Sequence, residues 1–319
     1  MNCAVDNVRN PMSLEIAEFD QARDLETFVR IYNQIYPHMQ ISAQGWIAAA
    51  SHRSGFWRMV MARQDGVGVG FARAMTDSYD PSTVEVSLGV ESASRQNGVG
   101  KALANAIERA VAERPERYVR VFLREGNEVG KAMAESYGLR LYATRLRFEG
   151  ETQDLVLTAS TPPNYRVEPI KDWRAAHEVV RLTLRDDPDD LVAPDYKTFR
   201  ELTVDDPGFV ERSNLGAYYK GKLVGITLLR ARNGQGEVFY TGVVPRHRAK
   251  TLATVLKARS IFEARRQGIT NAYTDVHSGN TPMIRANEKL GMKRAVGLGQ
   301  WVMRAEIAGL NDVRKTPSQ

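Results

Sequence analysis

Apolar and polar residues follow two alternating patterns along this chain. Residues 21–36 place Leu25, Phe28 and Tyr32 on one face at helical spacing, which predicts an amphipathic helix. The runs SLEIAEF, WRMVMARQ and VGVGFARAM predict strands, and Asp65-Gly66 between the last two predicts a tight hairpin turn. Further strands are predicted at STVEVSLGV, RYVRVFL and RLYATRLRFE, with helices over 98–113 and 128–137 between them. The second of these helices ends at Gly138, a typical position for a helix-terminating glycine.

The same order of elements is predicted again in the second half of the chain. Strands are expected at YRVEPI, LGAYYK, LVGITLLRA, GEVFYTGV, NAYTDV and GQWVMRAEI. Helices are expected near 173–185, 250–267 and 281–290. The mixed order in each half predicts an α/β fold, of the α+β type, with a mostly antiparallel central sheet flanked by helices.

Residues in the two halves match at a constant offset of 153. Val90 and Val243, Asn127 and Asn280, and Gly138 and Gly291 all obey it, without insertion or deletion over about fifty positions. Solenoid repeats have periods of ~20–50 residues, so a repeat of this length indicates a duplicated domain. The predicted division is an extension expected to be disordered (1–11), an N-terminal domain (12–158), a linker (159–164), a C-terminal domain (165–308) and a tail (309–319).

Composition excludes several classes of protein. The chain has 319 residues, of which 43% are hydrophobic and 26% charged, values typical of globular domains. No apolar run approaches the ~20 residues of a membrane span, and the N-terminal residues lack the apolar core of a secretory signal. Cys3 is the single cysteine, which excludes a disulfide framework and a cysteine zinc site. We therefore expect a cytoplasmic protein that does not interact with membranes.

The net charge of +6 raises the question of nucleic-acid binding. Lysines and arginines are interleaved with acidic residues, as in RPERYVRVFLRE, and form no basic block. The five histidines are scattered without metal-ligand spacing, and no serine nucleophile elbow occurs. We expect neither nucleic acid nor metal as a ligand, and we expect no hydrolase chemistry.

The segment RQNGVG lies between a predicted strand and a predicted helix. The first turn of a helix leaves backbone N–H groups without intrahelical partners, and the helix dipole adds positive potential there. Glycine lets an anion approach those donors closely. The segment therefore predicts a phosphate-binding loop, although a short glycine pattern alone is weak evidence and no Gly-Lys-Ser/Thr of a nucleotide-kinase loop follows.

The whole constellation resembles the GCN5-related N-acetyltransferase (GNAT) superfamily. Val-x-x-x-x-Arg-x-x-Gly-x-Gly from Val90 to Gly100, followed by Asn127 and Gly138, is similar to that family's Arg/Gln-x-x-Gly-x-Gly/Ala motif and its surroundings. RAKTLA at the second position and SGNTPMIRANEKLGM later resemble the family as well. The resemblance covers essentially the whole chain as two tandem GNAT domains. It implies an acyltransferase that uses acetyl-CoA as co-substrate and transfers acetyl to the primary amine of a small molecule or peptide, by direct attack in a ternary complex.

The resemblance also implies which residues bind the coenzyme. Main-chain amides of the loop would hold the pyrophosphate, the preceding strand end and the asparagines would contact the pantetheine arm, and the gap between the fourth and fifth strands would admit the thioester. The candidate coenzyme-binding residues are Leu88, Gly89, Val90, Arg95, Gln96, Asn97, Gly98, Val99, Gly100, Lys101, Asn127, Val243, Arg248, Ala249, Lys250, Thr251, Leu252, Ala253, Asn280 and Asn287.

Departures from the family pattern leave the chemistry open. Thr251 stands where the family has glycine; its bulk favours the first copy as the better coenzyme site, although its hydroxyl could cap the following helix. Ala134 and Asn287 occupy the position of the tyrosine that protonates the departing thiolate, so no acid is assigned. The candidate base is a carboxylate or tyrosine of the fourth strand: Glu85, Glu237 or Tyr240. A non-catalytic acyl-CoA-binding or regulatory module remains the alternative, and the chain is expected to be either a monomer with two pseudo-dimeric halves or a homodimer.

Overall fold

The computed structural model describes residues 13–37, 40–51, 55–77, 80–186, 191–232 and 234–313. In the first repeat the elements are β1 (Leu14–Glu18), α1 (Gln21–Ile35), α2 (Ala43–Ser51), β2 (Trp57–Gln64), β3 (Val67–Thr76), β4 (Thr83–Val90), α3 (Val99–Ala112), β5 (Tyr118–Arg124), α4 (Glu128–Ser136) and β6 (Arg140–Glu151). In the second they are β7 (Tyr165–Pro169), α5 (Trp173–Thr183), α6 (Tyr196–Glu201), β8 (Leu215–Tyr219), β9 (Lys222–Arg232), β10 (Gln235–Val243), α7 (Leu252–Arg266), β11 (Asn271–His277), α8 (Thr281–Lys289), β12 (Lys293–Arg294), β13 (Gln300–Glu306) and α9 (Ile307–Val313).

The strands and helices predicted from periodicity are confirmed. Both hairpin turns have positive φ at two successive residues, 50° and 80° at Asp65-Gly66 and 48° and 79° at Lys220-Gly221. This is the turn geometry that matches the twist of a two-residue hairpin. Upstream of the fourth strand the two copies match at an offset of 155, as the hairpin turns do, and a β-bulge follows both Ala62 in β2 and its counterpart Ala217 in β8. The duplication therefore extends to local irregularities. The short elements α2, α6, α9 and β12 were not predicted.

The chain forms two compact units. The first contains the residues up to Met75 together with Val84–Pro115, and its strands follow the order β1-β2-β3-β4. Its core is formed by the apolar face of α1 against the inner faces of β2 and β3, with Phe28, Met61 and Phe71 fully buried. Burial of each such side chain contributes ~1.5–3 kcal/mol.

The second unit contains Thr76–Thr83 and the chain from Glu116 onward. Its strand order is β5-β13-β6-β11-β10-β9-β8-β7, with β12 also paired to β6. Every pairing in this ladder is antiparallel except β10 with β11, which is parallel. The predicted mixed α/β class with a mostly antiparallel sheet is thereby confirmed. Helix α7 packs Ala258 and Ile261 against Val238 and Ala272 of the central strands.

The two repeats exchange their closing strands. β13, the last strand of the second repeat, pairs with β5 and with β6 of the first, from Gln300 opposite Arg124 to Glu306 opposite Tyr118. β6 in turn pairs along its other edge with β11 of the second repeat. The boundary between the compact units consequently lies inside the first repeat and not in the linker, and the domain boundaries drawn from the sequence stay a prediction.

Within the described residues, no helix is both long and apolar enough to cross a membrane.

Candidate active site

Two loops with the same backbone conformation enter α3 and α7. In the first loop (residues 91–98), Gln96 and Gly98 have φ of 63° and 77°; in the second loop (residues 244–251), Ala249 and Thr251 have φ of 60° and 58°. The alternation of left-handed and ordinary conformations turns successive backbone N–H groups inward, toward the first turn of the helix. Such a concave set of main-chain donors at a helix N-terminus suits a phosphate or pyrophosphate.

An arginine side chain braces each loop against the strand before it. Arg95 Nε donates to the carbonyl oxygen of Val90 at 3.0 Å, and Arg248 Nε donates to that of Val243 at 2.9 Å. Arg248 also pairs with Asp186, with a second contact at 2.9 Å, and this hydrogen bond lowers the pKa of the Asp186 carboxyl. Each arginine side chain therefore fixes its loop to the end of the preceding strand by a hydrogen bond to a backbone carbonyl.

The protein leaves room for a side chain before the helix in both loops. A Cβ placed on Gly98 would meet no atom within 4 Å, so the protein itself leaves room for a side chain there. What differs is conformational preference, because a positive φ is unfavourable for a β-branched residue such as Thr251 and costs nothing for glycine. Thr251 occupies the N-cap position of α7, but its hydroxyl donates to the Lys250 carbonyl at 2.7 Å and does not cap the helix, contrary to the possibility raised from the sequence.

Asn127 and Asn280 begin α4 and α8 in the same way. Their side-chain oxygens accept the backbone N–H of Gly130 at 2.9 Å and of Met283 at 3.2 Å. Each asparagine therefore fixes the start of a helix, and its amide nitrogen is the part that a ligand could use.

The parallel strands of the second repeat separate partway along their length. β10 and β11 pair only from Gln235–Glu237 to Asn271–Tyr273, although both strands are described to their ends at Val243 and His277. Past the point of separation β10 carries a bulge between Val238 and Tyr240. A cleft of this kind between the fourth and fifth strands is what the family resemblance predicted as the entry for a thioester.

The three candidate bases lie in different surroundings. Glu237 accepts a hydrogen bond from Arg230 Nε at 2.7 Å, so one carboxylate oxygen is held in an ion pair. Tyr240 forms a hydrogen bond with the hydroxyl of Thr183 on α5. Glu85 lies near the buried Tyr32 and the partly buried Tyr36; desolvation is the largest cause that raises the pKa of both phenols, and the charge of Glu85 adds to it.

Tyr32 is buried in the core of the first unit, and the partly buried Tyr36 packs against that core. Burial is the largest cause that raises the pKa of Tyr36, to about 12, so this phenol keeps its proton at neutral pH. Arg73 lies over the Tyr32 ring and donates to Ser87 Oγ at 2.7 Å, which places a guanidinium beside the same strand face. Glu85 and Ser87 therefore lie on the same face of β4, as expected for residues two positions apart in a strand.

An acidic segment, RDDPDDLVAPD at residues 185–195, follows α5 and is only partly described. Asp186 pairs with Arg248, and Asp195 caps α6 by accepting the Thr198 N–H at 2.8 Å. Residues 187–190 lie outside the described residues. The two described carboxylates at the ends of the segment therefore have structural partners.

Tyr165, His247 and Lys257 near the second repeat's site were not found by sequence reasoning, although their partners Lys250 and Asn287 were among the candidates. Tyr165 OH forms hydrogen bonds with His247 Nδ1 at 2.9 Å and Lys250 Nζ at 3.2 Å, which ties the second loop to β7. Lys257 and Asn287 form a fully buried pair at 2.6 Å. The signal for the second pair was the repeat itself, since alanine occupies both equivalent positions in the first copy.

No group of three or more His, Cys, Asp or Glu side chains that could hold a metal ion occurs in the part of the chain that the structure describes.

Comparison with known proteins identifies the family. Residues 23–139 and 176–292 each match the model of the acetyltransferase (GNAT) family, and the chain therefore belongs to that family, as a tandem member and an acyltransferase. Curated relatives include a mycothiol acetyltransferase from Actinosynnema mirum, 25% identical over 242 residues that cover 74% of this chain and 80% of the relative. One from Clavibacter sepedonicus is 26% identical over 234 residues, covering 68% and 72%.

Solved structures with the same fold include another tandem protein. A tandem GNAT protein from the clavulanic acid biosynthesis pathway aligns with a TM-score of 0.74 at 18% identity, covering 96% of this chain and all of that chain. A GCN5-related N-acetyltransferase from Sphaerobacter thermophilus aligns with a TM-score of 0.73 at 18% identity, covering 92% and 96%. At this identity the alignments establish the fold.

Proposed function

We propose that this protein transfers the acetyl group of acetyl-CoA to the primary amine of a small molecule or peptide, in a ternary complex without a covalent enzyme intermediate. The observation that carries the proposal is the pair of loops that share one backbone conformation at a helix N-terminus. Both loops keep this conformation although their sequences differ, RQNG in one and RAKT in the other. Family membership supports the reaction class, and the loops support the coenzyme.

The first-turn amides of each loop would bind the pyrophosphate of the coenzyme. In the first repeat these amides belong to residues 95–101, and in the second to residues 248–253. The strand ends that lead into the loops, Leu88–Val90 and Val243, would lie along the pantetheine arm. The amide nitrogens of Asn127 and Asn280 would face the same arm, because their oxygens are used as helix caps.

Transfer requires that the acceptor amine loses a proton before or during attack. Glu85 in the first repeat and Glu237 or Tyr240 in the second are the proposed acceptors of that proton, directly or through water. The carboxylate of Glu237 is already paired with Arg230, so it would act while held in a fixed orientation. Main-chain N–H groups of the fourth strand would polarise the thioester carbonyl.

The acceptor molecule is proposed as a class only. The relatives named mycothiol acetyltransferase make an acceptor of the mycothiol type one member of the panel to be tested. The two repeats could form a pseudo-dimer within one chain. Whether the protein is then a monomer or a homodimer is determined by measuring its molar mass in solution.

Coenzyme binding and thiol release test the proposal together. We expect saturable binding of acetyl-CoA by calorimetry and release of free thiol from acetyl-CoA with at least one amine of the panel. Binding without release for any amine would support the alternative, a non-catalytic acyl-CoA-binding module. Absence of binding would refute both.

Variants of the two loops locate the working site. Gly98→Trp and Thr251→Trp each put a large side chain where the anion would lie, and no protein atom lies within 4 Å of a Cβ at Gly98. The variant that abolishes acetyl-CoA binding marks the loop that binds it, and loss of half the binding stoichiometry in each would show that both do.

A further inference from the structure

A lysine is buried at the point where β10 and β11 separate. The side chain of Lys257, on α7, is 1% exposed, and its Nζ donates to Asn287 Oδ1 at 2.6 Å and to Thr274 Oγ1 at 3.4 Å. Within the described part of the chain it has no carboxylate partner. Burial is the single cause that lowers its pKa, to about 7, so its ammonium is poorly stabilised in the unliganded protein.

The polar neighbours of Lys257 mark the apex of the cleft. Thr274 Oγ1 donates to the carbonyl oxygen of Val238 at 2.8 Å. Val238 and Thr274 directly follow Glu237 and Tyr273, the last paired residues of the two strands. Lys257 therefore reaches the first position beyond the backbone pairing of the two strands, where a threonine side chain makes the contact between them.

The cluster has more donors than acceptors. Asn287 is fully buried, and its Nδ2 has no hydrogen-bond partner in the part of the chain that the structure describes. The Lys257 ammonium has three N–H donors and two neutral acceptors, Asn287 Oδ1 and Thr274 Oγ1. Buried donors without acceptors are unfavourable, so the cluster is suited to an electron-rich atom that arrives with a ligand.

The first repeat shows that packing does not require this cluster. At the offset of 153, Lys257, Thr274 and Asn287 correspond to Ala104, Val121 and Ala134. Apolar residues fill all three positions there, in the same fold. The polar group is thus specific to the second repeat, and a lysine in a buried position is costly enough to need a reason other than packing.

We propose that Lys257 is the acid of the second repeat, donating a proton from Nζ to the coenzyme sulfur as the thioester breaks, with Asn287 as the positioning residue that holds Nζ. The amine nitrogen bonds to the acetyl carbon, the carbon–sulfur bond breaks, and its electron pair goes to sulfur. Sulfur takes the proton from Nζ and leaves as a thiol. The proton given up by the acceptor amine passes to Glu237 or Tyr240, directly or through water, and from there to solvent; the neutral Lys257 takes one proton back from water. The inference rests on the proposed acetyl transfer.

Free CoA and desulfo-CoA test the contact without an acceptor amine. The two ligands differ in the sulfur alone, so the ratio of their affinities reports what the protein offers to sulfur. We expect the Lys257→Met variant to bind CoA ~10-fold more weakly than the wild type at pH 6, below the pKa of Lys257, while its affinity for desulfo-CoA is unchanged, the size expected for a charge-assisted hydrogen bond. Lys289→Met, which removes an exposed lysine of α8, is the charge-matched control and should behave as the wild type.

The outcomes separate this inference from the proposed function. Equal affinity losses for both ligands would show that Lys257 only supports the fold, and no loss for either would show that it does not meet the sulfur; both results overturn the inference and leave acetyl transfer standing. CoA binding that is lost in Gly98→Trp and unaffected in Thr251→Trp would overturn it too. A wild type that binds no coenzyme would remove the proposed function itself. If Lys257→Met does not fold, Lys257→Gln keeps hydrogen-bonding capacity without the charge and is judged by the same ratio.

Discussion

At the scale of single residues, the left-handed position just before the helix is a glycine in the first loop and a β-branched residue in the second. Gly98 and Thr251 both have positive φ, 77° and 58°, at the residue before a helix. Left-handed backbone costs L-residues ~1–2 kcal/mol relative to glycine, and a β-branched side chain is at the unfavourable end. The second loop is therefore formed at the expense of local strain that the first loop does not have.

The matched substitutions Thr251→Gly and Gly98→Thr measure that strain. We expect Thr251→Gly to raise the free energy of unfolding by ~1 kcal/mol, the relief of strain less the greater entropy of glycine in the unfolded chain, and Gly98→Thr to lower it by ~1–2 kcal/mol. Chemical denaturation of both variants checks the signs. A stability gain in Gly98→Thr would mean that the positive φ of this loop is not maintained in solution.

Lys257 gives a stability change with pH. Its pKa is about 7 in the folded protein and 10.5 for a solvated lysine, the value that applies to the unfolded chain, so between these values the unfolded chain holds a proton that the folded protein has lost. Stability due to this group is therefore lowest at and below about pH 7 and rises as the pH increases toward 10, with a full span on the order of 5 kcal/mol. Its polar neighbours Asn287 and Thr274 are uncharged, so no second ionisation at the cluster opposes the trend.

The Lys257→Met variant removes this dependence. We expect Lys257→Met to have a higher free energy of unfolding than the wild type, with the difference largest at pH 6–7 and decreasing steadily toward pH 10. Urea denaturation at several pH values measures this difference. Lys289→Met serves again as the control, since an exposed lysine contributes no such difference. A constant offset between Lys257→Met and the wild type at all pH values would contradict a lysine with a lowered pKa.

At the scale of elements, substitutions at Asn127 and Asn280 can distinguish helix capping from ligand binding. Asn280→Ala removes the cap of α8 and should cost ~1 kcal/mol of stability, and Asn127→Ala should cost a similar amount at α4. Asn280→Asp keeps the capping oxygen and should preserve stability, but it loses the amide N–H groups. If those groups contact the pantetheine arm, acetyl-CoA binds more weakly to Asn280→Asp than to the wild type; calorimetry with Asn127→Asp as the paired measurement shows which repeat uses the contact.

Most elements could be predicted from the sequence because their periodicity is strong and their boundaries carry specific residues. Asp65-Gly66 fixes a hairpin and Gly138 ends a helix through conformations that few other residues adopt. The short helices α2 and α6 lack such signals, since nine and six residues give too few turns for a clear apolar face. At the site, the repeat in the sequence predicted that the second loop has the same shape as the first. The ion pair of Glu237 with Arg230 depends on the register of two strands and could not be predicted from sequence spacing.

At the scale of the whole molecule, the exchange of closing strands is the feature that sequence reasoning could not reach. The sequences of β6 and β13 both predict strands, and a strand pattern does not specify which strand lies beside it. The repeat predicted that each closing strand follows a helix of its own copy, and it does; the pairing partner belongs to the other copy. The two closing strands have the same local preferences, so tertiary contacts decide which neighbour each of them pairs with.

The exchange predicts that the C-terminal strand is needed by the first repeat. A chain that ends at residue 298 lacks β13 and α9, so the edge of β5 and one edge of β6 lose the partners that register them from Gln300 to Glu306. Unpaired edges of this length favour aggregation, and Met303 and Val302, both buried in the sheet, would leave a cavity. We expect the truncated chain to be insoluble or to unfold without a cooperative transition. A chain that ends at residue 313 is the control for loss of the last residues, and it should unfold cooperatively.

Addition of a peptide of residues 299–313 should restore cooperative unfolding to the truncated chain, because the strand can pair with β5 and β6 even when it belongs to a separate polypeptide. Cooperative unfolding of the chain ending at 298, with an unchanged midpoint, would show that β5 and β6 do not depend on β13, and the closing strand would then be an addition to a sheet that is stable without it.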